Sequence, residues 1–192
     1  MEARSEAVLV TSLVVDALEA AGVLYAVGGS LASSYHGVPR SSHDADLVAA
    51  LGLGHVDAFA SGLGEAFYSD PEMMRDAIRR ADSFNVVHLE TMFKVDVFVA
   101  GSDELARQEL VRRVPAQIEG ADLFVASAED IVVQKLRWYR KGGEVSERQW
   151  SDVLGVLRVA RGRLDLEYVR EWAERAGVSD LLHRAIARSE TA

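Results

Sequence analysis

Three aspartates set among apolar strand residues, downstream of a paired glycine, constrain this chain more than anything else in it. Val23-Leu24-Tyr25-Ala26-Val27 reads as a short strand that hands over to a helix at Gly28-Gly29-Ser30. Thirteen residues separate Ser30 from Asp44, and Asp44-Ala45-Asp46 runs into the apolar pair Leu47-Val48. Residues two apart on a strand leave from one face, with Cα atoms about 6.5–7 Å apart, so Asp44 and Asp46 share a face. In Phe93-Lys94-Val95-Asp96-Val97-Phe98-Val99 the valines fill one face and Asp96 points out of the other. A carboxylate buried there is costly unless paired or metal-bound. Lys94, on the same face, is the pairing alternative.

The pattern around these residues predicts an α/β (α+β) fold, a small mixed β-sheet flanked by helices with a C-terminal helical segment. Residues 5–21 carry Val8, Leu9, Leu13, Val14 and Leu18 near helical spacing, and Gly22 stops the run. A short helix from Ser30 to Tyr35 ends before Pro39, and a strand runs from Asp44 to Ala50. Residues 55–64 and 71–80 read as helices, with Pro71 in a first-turn position. Strands 84–90 and 92–99 form a hairpin around Glu90-Thr91, and Val111–Ile118 pairs with Leu123–Val125 around Glu119-Gly120. From Ser127 onward the pattern is helical, over 128–140, 147–160, 165–176 and 179–189. Ser127 with Asp130 opens this part as a capping box with Asp in place of Glu. The expected division is a core over 1–126 and a helical segment over 127–192.

Composition narrows the function classes. A hydrophobic fraction of 49% supplies a core, and no apolar run reaches the roughly 18 residues that cross a bilayer. The N-terminus lacks the basic region and apolar stretch of a leader, so a cytoplasmic protein with no membrane partner is expected. Without cysteine there are no disulfides, thiolate metal sites or cysteine nucleophiles. The net charge of −9 argues against binding nucleic acid over the whole surface. Residues 1–104 hold 6 Lys/Arg against 16 Asp/Glu, whereas residues 105–192 hold 15 against 14. Lys135, Arg137, Arg140, Lys141 and Arg148 are candidates for a basic face on that second half, the alternative being an ordinary solvated helix surface.

Chemistry follows from the residue types. Gly28 and Gly29 let the backbone approach a phosphate, and the helix start at Ser30 offers unpaired N–H groups and a hydroxyl. Asp44 and Asp46 stand close enough to share metal ions about 3.5–4 Å apart, and hard carboxylate oxygens suit magnesium, or manganese in its place. Three carboxylates on strands beside a glycine-lined helix start can thus hold divalent metal against a triphosphate. Solvated charge at a strand edge is the plainer account of Asp44 and Asp46.

Gly29-Ser30, Asp44, Asp46 and Asp96, each flanked by apolar residues, resemble the signature of the DNA polymerase β-like nucleotidyltransferase superfamily. The stretch from Gly28 through His36-Gly37 and Arg40 to the aspartates looks most like its small bacterial stand-alone, AbiEii toxin-like branch. The likeness continues more weakly at Ala128–Lys135 and Arg148–Val153. The resemblance implies a magnesium-dependent enzyme that moves a nucleoside monophosphate from a nucleoside triphosphate to an acceptor hydroxyl. Asp44, Asp46 and Asp96 would be catalytic and hold metal; Gly28, Gly29, Ser30, Arg40 and Lys135 would bind the nucleotide. The acceptor would be RNA or a tRNA end, a protein side chain or a small molecule. A second copy, or the antitoxin of a toxin–antitoxin pair, would be the protein partner. The competing reading is a non-catalytic nucleotide-binding or interaction module that keeps the fold.

Individual residues carry alternatives. Arg40 either neutralises phosphate or pairs with Asp44 or Asp46. Lys135 either reaches phosphate or faces solvent, and Asp152 supports Lys135 or Arg148. The five histidines show no metal-ligand spacing, and Ser33 and Ser34 have no visible base partner. Trp138, Tyr139, Trp150 and Trp172 sit at helical positions that helix packing explains.

Overall fold

The computed structural model describes residues 4–190. In chain order, α1 (Glu6–Ala20) precedes β1 (Tyr25–Val27), α2 (Gly29–His36) and β2 (Asp44–Ala49). Next come α3 (Val56–Leu63), β3 (Phe67–Tyr68), α4 (Pro71–Arg80), β4 (Ser83–His88), β5 (Lys94–Val99) and α5 (Glu104–Arg112). The chain closes with β6 (Val114–Ile118), β7 (Ala121–Val125), α6 (Ala128–Lys141), α7 (Glu147–Val159), α8 (Leu166–Arg175) and α9 (Ser179–Glu190). Two compact units emerge: residues up to Gly28 together with Ser41–Ala126, and Gly29–Arg40 together with the chain from Ser127.

The first unit is built on a mixed sheet of seven strands among the described residues, ordered β3-β4-β5-β2-β1-β7-β6. β2 lies parallel to β5 and antiparallel to β1. Ala45, Leu47, Val95 and Val97 are fully buried on one face of this pair, where Phe59 of α3 meets Phe84 edge-on. Burying a Val or Leu side chain is worth about 1.5–3 kcal/mol, so a one-residue slip, which would turn these four outward, is strongly disfavoured. The opposite face therefore carries Asp44, Asp46 and Val48 on β2, and Lys94, Asp96 and Phe98 on β5. At one end of that face, Ala106 and Leu110 of α5 close over Ala26, Val48, Ala100 and Phe98. The aspartate end of the row stays partly exposed.

Local signals explain most element ends. Asp70 accepts from the N–H groups of Glu72 and Met73 ahead of Pro71, which opens α4. In α1 the buried stripe is Val8, Thr11, Val14, Val15 and Leu18, spaced by three and four, whereas Leu9 and Leu13 are exposed. The expected strand start at Val111 is corrected: α5 continues through Arg112, capped at its start by Asp103, and Val111 is 78% exposed. The two-residue edge strand β3 carried no strand pattern.

In the second unit, Ser127 caps α6 by accepting from the Asp130 N–H and donating to its carboxylate. The Tyr168 hydroxyl of α8 donates to the same carboxylate at 2.6 Å. α2 ends against α7 at bare backbone. A Cβ on Gly37 would sit 2.8 Å from the Val156 nitrogen and 2.9 Å from the Gly155 carbonyl carbon. Tyr139 stacks at a tilt on Trp150, and Trp172 is buried, so these aromatics serve helix packing. No helix among the described residues is long and apolar enough to cross a membrane.

Candidate active site

The sheet register builds the acidic row. Asp46 pairs directly with Asp96 across β2 and β5, and Asp44 with Lys94; paired strands run about 4.7–4.9 Å apart. All four side chains leave from the same face. Asn85 of β4 lies opposite Asp96 on its other side, which extends the polar row to a third strand. The turn at Glu90-Thr91 implies this pairing, because a hairpin centred there sets position 85 against 96.

One of the three carboxylate charges of the row is offset from within it. The Lys94 ammonium bonds Asp96 Oδ2 at 2.7 Å, with the Lys94 side chain 44% and the Asp96 side chain 22% exposed. That hydrogen bond, opposed by partial burial and aided by the charges of Asp96, Asp44 and Asp46, raises the Lys94 pKa above the ordinary lysine range. The Ser42 hydroxyl reaches Asp44 through the backbone oxygen at 2.8 Å and Oδ1 at 3.1 Å. Among the described residues, no three histidine, aspartate or glutamate side chains converge closely enough to grip an ion as they stand. Asp44, Asp46 and Asp96 are by type the donors a hard divalent cation takes. Their oxygens are hard, and the Lys94 ammonium is a cationic head already bonded to Asp96.

Gly28 ends β1 in register with the row, its N–H donating to the Asp46 carbonyl at 2.8 Å. Gly29 opens α2 at φ +54°, a conformation that a side chain would strain. Ser30 is buried in the first turn of that helix, and its carbonyl accepts from the Ser33 hydroxyl.

The second unit gathers a different cluster. Arg40 grips Asp152 by two bonds, Nε to Oδ1 and Nη2 to Oδ2, both 2.9 Å. Lys135 donates to Asp152 Oδ2 at 2.8 Å, and the two side chains are only 6% and 5% exposed. Burial works against a charge on Asp152, but hydrogen bonds from Arg40 and Lys135 and their charges outweigh it and hold the carboxyl below its usual range. Ser34 fixes the Arg40 backbone, accepting from its N–H at 3.3 Å. Asp152 was expected to hold Lys135 or Arg148; it holds Lys135 together with Arg40. Lys135 is buried rather than solvent-facing.

Three of the five candidates for a basic face are engaged within the protein. Lys135 bonds Asp152, and Arg140 bonds Asp180 at 2.6 Å and Glu144 at 3.0 Å. Lys141 instead lies over the Trp138 ring.

No protein-family model matches the sequence, and no curated protein matches it. Solved structures do: the architecture is the nucleotidyltransferase fold, as expected from the motif order. The chain is similar to the antibiotic-resistance factor ANT(2'')-Ia in solution, with TM-score 0.57 and 19% identity over 92% of this chain and 95% of that one. It is similar to ANT(2'')-Ia in complex with adenylyl-2''-tobramycin, with TM-score 0.58 and 19% identity over 88% and 96%. A nucleotidyltransferase-like protein from Paracoccidioides brasiliensis gives TM-score 0.51 and 15% identity over 94% and 91%. At these identities the likeness is one of fold.

Proposed function

We propose that the protein is a divalent-metal-dependent nucleotidyltransferase that moves a nucleoside monophosphate from a nucleoside triphosphate to an acceptor hydroxyl. One observation carries this reading: β2 and β5 set Asp46 beside Asp96, with Asp44 on the same face. Asp44, Asp46 and Asp96 hold magnesium, or manganese in its place. Bound there, the ion supplies positive charge to the phosphates and lowers the cost of ionising the acceptor hydroxyl. Gly28 and Gly29 keep the backbone open to phosphate oxygens, and Ser30 with the first N–H groups of α2 binds them. Arg40 and Lys135, whose heads are held by Asp152, are the proposed cationic contacts of the nucleotide. Asp96 takes the proton of the acceptor hydroxyl. That oxygen bonds to the α-phosphorus, the bond from this phosphorus to the α–β bridging oxygen breaks, and pyrophosphate leaves with the electron pair.

The likeness to a fold seen with adenylyl-2''-tobramycin supports a small-molecule hydroxyl as acceptor. The sequence likeness to the AbiEii-like branch supports RNA or a tRNA end, and with it a toxin role held in check by an antitoxin. The test is transfer of label from each α-labelled nucleoside triphosphate, with magnesium, into total RNA, protein or an aminoglycoside panel. Wild-type protein labels one class, and the variant Asp44→Ala with Asp46→Ala labels none. Equal labelling by the double variant rejects the site. Intact triphosphate binding without transfer to any class favours a non-catalytic nucleotide-binding module.

A further inference from the structure

Among the described residues, Lys94 is the one lysine or arginine carried by a strand of the sheet, and it stands on the acidic row. It stands on β5 opposite Asp44, two residues before Asp96, and its ammonium bonds Asp96 at 2.7 Å. Its neighbour across the other edge of β5 is Val87, which offers it no charge. The stem that carries this ammonium is flexible, and its side chain is 44% exposed. Such a head moves away at small cost, because exposed ion pairs contribute little to stability.

We infer that Lys94 is a resident counter-ion that competes with the divalent ion for Asp96, and that loading the metal requires Lys94 to swing off that carboxylate. The inference rests on the proposed metal-binding role of the row and adds its regulation. Two positive charges cannot share one carboxylate within hydrogen-bond distance without mutual repulsion. The competition therefore weakens metal binding in the protein without nucleotide. A released Lys94 head, still tethered beside the row, is offered to an anion arriving with the metal. Metal and triphosphate then bind cooperatively, each easing the entry of the other.

The test uses manganese as the probe, titrated into the 192-residue chain and read by calorimetry and by the electron paramagnetic resonance signal of free manganese. Lys94→Gln is expected to bind manganese about three- to tenfold more tightly than wild type, with the difference shrinking in high salt. Lys94→Arg, which keeps the charge, is expected to bind like wild type. The cooperativity between manganese and a non-hydrolysable triphosphate falls in Lys94→Gln. Equal or weaker manganese binding by Lys94→Gln, with unchanged melting, overturns the competition while leaving the metal site standing. Absence of manganese binding that depends on Asp44 and Asp46 in wild type overturns both.

Discussion

Asp152 shows how a single side chain carries different physics from the row on the sheet. It is almost wholly buried and holds two cations, one of them equally buried, at 2.8 and 2.9 Å. Removing one partner of a buried ion pair strands a charge, so Asp152→Ala is expected to cost about 3–5 kcal/mol in urea unfolding. Lys94→Gln, on an exposed pair, should change stability by less than about 1 kcal/mol. The lowered pKa of Asp152 sets the direction with pH. Its contribution is fully present above the ordinary carboxylate value of about 4, and is lost as pH falls through the lowered folded value. Stability curves of wild type and Asp152→Asn, compared across acid pH, should therefore converge as the pH drops. Parallel curves would show that this pairing does not hold the unit together.

At the element scale, the end of α2 approaches the α7 backbone closely, and glycine permits it. With a Cβ at position 37 the neighbouring backbone atoms would lie under 3.0 Å away, and backbone cannot step aside as a flexible side chain can. Gly37→Ala is expected to lower stability by about 1–3 kcal/mol. Gly54→Ala, where a Cβ meets nothing within 4 Å, should stay within about 0.5 kcal/mol. Denaturant midpoints of the two variants check this. The same contact accounts for the spacing of His36-Gly37 and Arg40 in the sequence. Gly37 seats the end of α2 on α7, and Arg40, three residues on, reaches Asp152 on that helix.

Across the whole molecule, the legible parts were those with local signals. Pro71 after Asp70, Ser127 before Asp130 and the alternation around Asp96 each name their element within a few residues. Asn85 opposite Asp96 came only with the strand register, although the hairpin centre is consistent with it. What stayed illegible depends on distant partners. Arg40 and Asp152 are 112 positions apart, and nothing near Lys135 says that its head is buried. α5 was missed because Val111 and the strand after it draw the eye to a longer strand. β3 is too short to alternate.

In the proposed function, Asp44, Asp46 and Asp96 together bind a metal–triphosphate complex. Equilibrium binding of a non-hydrolysable nucleoside triphosphate, with and without magnesium, tests it most directly in wild type and in Asp44→Asn with Asp46→Asn. Wild type should bind only with magnesium, and the variant should lose about a hundredfold or more in affinity with its melting unchanged. Magnesium-dependent binding of equal strength in a folded variant would show that these aspartates do not hold the metal.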